Sequence, residues 1–207
     1  MTAILKVDTI QDTSGNNIIN ESSDTITIGA SGDTTNIVGT LQNNGAALAL
    51  GSLTMADNWR LTSDASFDST KTDLTANLEQ VDTTGQGTIG SAMTVSSGIF
   101  TFPSTGIYLV TAILSASKSG NSRYVEVHIN VTTNNSSYAT VAQGTDSINQ
   151  TDSGSTKCNP IAQTLIDVTN TTNVKVKFSC QAYASCAAAG ATNENRTCFT
   201  FIRLGDT

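Results

Sequence analysis

The chain has 207 residues, of which 13% are charged and 38% hydrophobic, and it carries a formal net charge of -7 with a pI near 4.4. Its ten Lys and Arg residues are spread thinly, without the basic stripe or cluster that a nucleic-acid binder needs. The length suits one sizeable domain with an extension. The Ser, Thr, Asn and Gly-rich polar set, with plentiful Val and Ile, fits pleated sheet rather than helix.

Residues 1 to about 50 differ from the rest. Met1 to Ile10 does not read as a secretory leader, because its apolar stretch is short and is broken by Lys6 and Asp8. No run approaches the length of a membrane span, so membrane insertion is not expected. Short apolar pieces follow: Ile18-Ile19, Ile26-Thr27-Ile28 and Ile37-Val38. Turn signals separate them, at Thr13 to Asn17 and at Ala30 to Asp33. Each piece is too short and too polar to bury a core alone. Three copies side by side would bury these Ile and Val positions along a common axis. Residues 1–50 are therefore expected to form an extended β-rich stalk or docking arm. In the junction that follows, Ala46 to Leu50 reads as a short helical turn or an apolar plug. Gly45 and Gly51 bracket it, and residues 51–57 are expected to act as a hinge.

From Asn58 onward strand signals succeed one another through residue 207. Trp59 to Leu61 begins the set, and Gly90 to Phe102 follows. Pro103, Ser104, Thr105 and Gly106 supply a tight turn, since Pro fixes φ and Gly permits the positive φ that other residues resist. Ile107 to Ala116 continues as a strand. Tyr124 to Val131 alternates cleanly, with Val125, Val127, Ile129 and Val131 on one face and Tyr124, Glu126, His128 and Asn130 on the other. Tyr138 to Ala142, Ile161 to Val168, Val174 to Phe178 and Thr197 to Leu204 complete the series. Short strands punctuated this way predict an all-β sandwich or barrel.

Few residues suggest chemistry. Gly85-Gln-Gly87-Thr-Ile-Gly90 is a literal GxGxxG, but a dinucleotide loop follows an apolar strand and opens a helix. Here Asp82-Thr-Thr84 precedes and strand-like Ser91 to Ser97 follows, so the segment reads as a glycine loop and no cofactor is expected. His128, the single histidine, lacks an evident nucleophile or acid partner and is expected on an outer-sheet or inter-subunit surface, where it can titrate near neutrality. No catalytic carboxylate pair stands out. Asp64, Asp68 and Asp73 in one loop, and Asp146 and Asp152 in another, supply oxygen-rich segments of the kind that hold calcium, without EF-hand spacing. The four cysteines form no CxxC pair, which argues against zinc. Cys180 and Cys198 lie in the last two strand segments and form the candidate disulfide, a pairing that spacing leaves open. Asn-x-Ser/Thr sequons, as at Asn130 and Asn149, follow from the Asn/Thr-rich composition.

The pattern Phe100, five residues, Gly106-x-Tyr108-x-Val110, with Phe102 between, resembles the central signature of the C1q/TNF-like jelly roll. Cys198-Phe199-Thr-Phe201-Ile-Arg-Leu204 looks like that family's closing aromatic strand. The resemblance covers residues 58–207. Val110 and Met93 stand where the family places aromatics, as in a distant branch. Asn77 through Thr111 is similar to C1q-like heads on marine phage fibre proteins, and Lys6 to Ile19 looks like the openings of cyanophage-type structural proteins. The resemblance implies a non-enzymatic homotrimer made in the host cytoplasm and carried on the virion. Residues 1–50 would attach to phage tail or capsid proteins, and the head would bind a host-surface glycan or protein through distal loops such as Ser117 to Arg123 and Gln143 to Lys157. A capsid-decorating head fibre or cement protein, and a carbohydrate-active virion enzyme, are the alternatives.

Overall fold

The structure, a computed structural model, describes residues 53–207 continuously and, before them, residues 9–11, 13, 17–22, 25–28, 32, 34, 42–43 and 46–47. Two compact units divide the chain, Met1–Gly51 and Ser52–Thr207. Every regular element among the described residues is a β-strand.

In the first unit, β1 (Thr9–Gln11), β2 (Asn17–Ser22) and β3 (Thr25–Ile28) form a three-stranded antiparallel sheet. Ile19 stands opposite Ile10 on one side and Ile28 on the other, so the Ile-containing pieces pair with one another within a single chain. Next, β4 (Gln42–Asn43) pairs antiparallel with β5 (Ala46–Ala47). This corrects the helical turn expected over Ala46 to Leu50 at its first two residues. Ile37-Val38, Gly45, Leu50 and Gly51 lie outside the described residues.

The second unit runs through β6 (Met55–Leu61), β7 (Ala65–Phe67), β8 (Thr72–Asp73), β9 (Leu78–Gln80), β10 (Thr94–Ser96) and β11 (Ile99–Thr101). It continues with β12 (Gly106–Ile113), β13 (Ala116–Lys118), β14 (Ser122–Thr132), β15 (Ala139–Ile148) and β16 (Thr156–Cys158). It closes with β17 (Ile161–Val168), β18 (Lys175–Ala182), β19 (Cys186–Ala188) and β20 (Cys198–Gly205). Because β6 begins at Met55, residues 55–57 belong to the sandwich and not to a hinge.

One sheet has the order β10-β11-β18-β14-β15, with β8 also on β18. The other has the order β17-β12-β20-β6-β9. A four-stranded sheet, β16-β13-β19-β7, repeats the second order one element along, because each of these strands adjoins a β17, β12, β20 or β6 neighbour in the chain. All pairings in the unit are antiparallel. Inner faces alternate with outer ones, as along β12, where Tyr108, Val110 and Ala112 are fully buried and Ile107, Leu109, Thr111 and Ile113 are half-buried.

Two local readings change. The stretch Gly90 to Phe102 is not one strand: it breaks into β10 and β11 around a two-residue turn. Ser97 (φ 49°) and Gly98 (φ 78°) give that turn the double positive φ of a tight hairpin. The tight turn read between the strands ending at Phe102 and beginning at Ile107 does not close a hairpin. β11 pairs with β18 in one sheet and β12 with β17 and β20 in the other, so this turn carries the chain across the sandwich.

Candidate functional site

The signature residues converge on one place. Phe100 is fully buried at the centre, with ring centroids 5.4 Å from Trp59, 5.5 Å from Phe178 and 5.3 Å from Phe201. Phe178 and Phe199 stack at 4.0 Å across the two sheets. Phe102 packs on Tyr108 at 4.7 Å, and the Tyr108 hydroxyl donates to the Ser104 carbonyl at 3.0 Å, tying the crossing turn to the strand after it. Edge-on and tilted pairs of this kind add to the stabilisation from buried area alone. Gly106 has φ 139°, and a Cβ there would lie 2.5 Å from the Gly205 carbonyl oxygen and 2.6 Å from Arg203 Nε. The glycine of the signature is thus required twice, by its dihedral and by the approach of β20. The six signature positions build the core and place the strands; they are not surface contacts.

The buried Asp57 organises the same region. Its carboxylate accepts from Trp59 Nε1 (2.8 Å), the Met93 amide (2.7 Å), Gln80 Nε2 (3.0 Å) and the Asn58 amide (2.9 Å). On the opposite face of β6, Arg60 is fully buried and donates to Glu79 (2.7 Å), Asp82 (2.8 Å) and Thr83 (2.6 Å). The residues of the GxGxxG loop follow directly. Gly90 has φ 65°, and a Cβ there would meet the Thr54 carbonyl oxygen at 2.1 Å, so the glycine serves strand packing.

The outer faces of the two sheets differ. On the five-stranded sheet, register places Leu165, Leu109, Ile202 and Ala56 in one row, and Ile89 bridges to Ala56 at its end. Ile161 and Ile113 form part of a second row. Leu165 is 60% exposed and Ile161 56%. Between the rows lie Gln163, Thr111, Thr200 and Asn58, and Gln163 Nε2 donates to Thr111 at 2.8 Å. Within the first row Leu165 and Ile89 are exposed, and Leu109, Ile202 and Ala56 are half-buried.

The outer face of the six-stranded sheet is polar. Lys71 Nζ donates to Asn130 Oδ1 (2.7 Å) and to the Thr140 hydroxyl; Asn130 Nδ2 donates to Ser179 Oγ (2.8 Å). Lys177 pairs with Asp73 at 2.6 Å and lies 4.6 Å over the Tyr138 ring. His128 sits on this face as expected but is buried, and its Nε2 is 3.3 Å from Glu126 Oε2 without hydrogen-bond geometry. Both ring nitrogens lack a hydrogen-bond partner. Burial, with the Lys71 charge second, holds the His128 imidazole below its ordinary value. Burial raises Glu126, and burial followed by Asp73 raises Tyr138.

All four cysteines are buried free thiols, which corrects the Cys180–Cys198 disulfide. Cys180 shares the inner face of β18 with Val176 and Phe178. Cys198 shares the outer face of β20 with Thr200 and Ile202. Cys180 points into the core from one sheet and Cys198 points away from the core on the far side of the other, so the sheet containing β20 stands between the two sulfurs, which disulfide geometry does not tolerate. Burial pushes Cys180 up to about 12. The aspartates first grouped as oxygen-rich loops have separate duties: Asp64 accepts from the Gly190 amide, Asp68 from the Thr70 amide and Asp152 from the Gly154 amide, and Asp73 pairs with Lys177.

The loops suggested for recognition do meet. Ser117 pairs with Lys157, Ser122 with Ile148, and the Gln150 amide donates to Asn121 Oδ1 at 2.7 Å. A third segment, absent from the sequence reading, joins them. The Tyr183 amide donates to the Tyr124 carbonyl at 3.0 Å, the Arg123 guanidinium lies 4.8 Å over the Tyr183 ring, and Lys118 Nζ donates to the Ser185 carbonyl at 3.0 Å. An isolated Tyr among Ala and Ser was the available signal.

No family model matches the chain, and no curated protein does. Solved structures do match. The Eiger TNF of S. frugiperda aligns with a TM-score of 0.56 at 11% identity, over 75% of this chain and 96% of that one. Murine APRIL, in a crystal structure at pH 5.0, aligns with a TM-score of 0.51 at 12% identity, over 72% and 98%. At such identities the likeness is one of fold: this chain is all-β and carries a TNF-like jelly roll.

Proposed function

We propose that the protein is a non-enzymatic virion fibre protein, homotrimeric, attached to the particle through residues 1–50 and recognising the host surface with its jelly-roll head. The observation that carries the homotrimeric part of this reading is the apolar row Leu165, Leu109, Ile202, Ala56 on the outer face of the five-stranded sheet. A face of this kind is stabilised by covering it. Three copies related by a closed rotation cover it without leaving an open edge for further growth. The resemblance of Phe100 to Val110 to C1q/TNF-like heads implies the same number of copies. The polar outer face of the other sheet then stays with solvent, and the loops around Arg123, Gln150 and Tyr183 remain free to make contacts.

The phage assignment rests on the similarity of Lys6 to Ile19 and Asn77 to Thr111 to phage structural proteins. Reconstruction of virions carrying an epitope on this chain tests it. Density for the chain at the tail is the expected result, many copies over the shell would favour capsid decoration, and absence from particles would contradict both. Turnover of a surface polysaccharide by the purified protein would overturn the non-enzymatic part.

A further inference from the structure

The basic residues of the sandwich are unevenly occupied. Arg60, Lys177, Arg196 and Arg203 each pair with a carboxylate, and Lys71 and Lys175 donate to neutral oxygens. Among the described residues, Lys118, Arg123 and Lys157 likewise have no ion-pair partner, and Lys118 donates to the Ser185 carbonyl. All three belong to the loop cluster of β13, β14 and β16.

The same place holds an exposed aromatic ring. Tyr183 is 52% exposed, its ring carries the Arg123 guanidinium at 4.8 Å, and Tyr124 meets it edge-on at 6.1 Å. Stacking uses the flat face of a guanidinium and leaves its N–H edge for a planar anion. The Arg123 side chain donates no hydrogen bond to the protein among the described residues. The carboxylates of Asp146, Asp152 and Asp68 each accept from a backbone amide, of Ser147, Gly154 and Thr70, and among the described residues none of the three forms an ion pair. Arg123 covers one face of the Tyr183 ring, and the other face offers a platform for the apolar C–H face of a sugar. A guanidinium edge beside it fits a carboxylate on that sugar.

We infer that Tyr183, Arg123 and Lys118 form a binding site for a carboxylate-bearing sugar, with the ring stacked on Tyr183 and the carboxylate on Arg123. This deepens the host-recognition reading and rests on it for biological meaning. Attraction between exposed charges is screened by salt, so binding should weaken as ionic strength rises.

Titration of the full-length protein with oligogalacturonate, and with the same oligosaccharide after reduction of its carboxyls to alcohols, tests the site. The acidic form is expected to bind and the reduced form to bind at least about tenfold more weakly, a difference of about 1.4 kcal/mol. Tyr183→Ala and Arg123→Ala should each weaken the acidic form about tenfold, and Tyr183→Phe should retain it. Equal binding of both sugars, unchanged binding by the Ala variants, or no binding by the unaltered protein would overturn the inference. Adsorption of labelled protein to host cells separates the two readings. Loss of oligogalacturonate binding together with adsorption that Tyr183→Ala leaves intact overturns the site as the one used for host recognition and keeps host recognition. Oligogalacturonate binding without cell adsorption keeps the site and removes host recognition.

Discussion

At the scale of single residues, the signature positions act through packing and backbone geometry. Phe100 touches aromatic rings from three other strands, so truncation leaves a cavity that both sheets line. Phe100→Ala should cost about 3–5 kcal/mol, read from the urea midpoint. Gly106 and Gly205 give a matched pair. Gly106→Ala must enter a strained φ and displace the Gly205 carbonyl, and should cost more than about 1 kcal/mol. Gly205→Ala, where an added Cβ meets nothing within 4 Å, should be close to neutral. His128 provides a pH dependence. Its folded-state pKa lies below the unfolded value near 6.5, so the unfolded chain takes up the proton first. Stability is therefore whole above about pH 6.5 and declines as pH falls from there toward the lower folded value. Glu126, raised by burial, has the opposite sign: it loses stability as pH rises above the usual carboxylate range. Unfolding free energy measured between pH 7 and 5 should fall for the unaltered protein, and His128→Leu should flatten that slope. A slope unchanged by the substitution would place the titration elsewhere.

At the scale of elements, the sequence was most legible where alternation runs long. β17 has the bounds read from its sequence, and β14, β18 and β20 differ from theirs by a few residues at the ends, because Val, Ile and Phe recur there at period two. The short strands β7, β8, β13, β16 and β19 were not legible. They hold three residues or fewer, and cross-strand partners define them more than composition does. The break between β10 and β11 had a signal in Ser97-Gly98, which the stronger Pro103 to Gly106 turn outweighed. Burial of Arg60 and Asp57 was not readable, because a charged residue in a strand reads as solvent-facing until its partners are known. Arg60 fastens β9 and residues 82–83 to β6. Arg60→Met should cost about 1–3 kcal/mol, since its partners Glu79 and Asp82 keep some access to water. Amide exchange should accelerate over residues 78–83 and stay unchanged in β14.

At the scale of the whole molecule, the aromatic signature led to the correct fold, because Phe100, Phe102, Tyr108, Phe199 and Phe201 occupy one core. The candidate surfaces were less legible. Inner and outer Ile look alike in sequence, and only register separates Leu109 and Leu165, which face out, from Val110 and Ile166, which face in. The loops proposed for recognition were legible as positions, but Tyr183 joined them only through the pairing of β18 with β14. The central claim is that the apolar row on the five-stranded sheet joins three copies of this chain. Sedimentation equilibrium of the full-length protein, beside Leu165→Asp, tests it most directly. The expected mass is three times the 21.5 kDa of one chain, falling to that of a single chain in the variant. A concentration-independent 21.5 kDa for the unaltered protein, or a trimer that Leu165→Asp leaves intact, would contradict it.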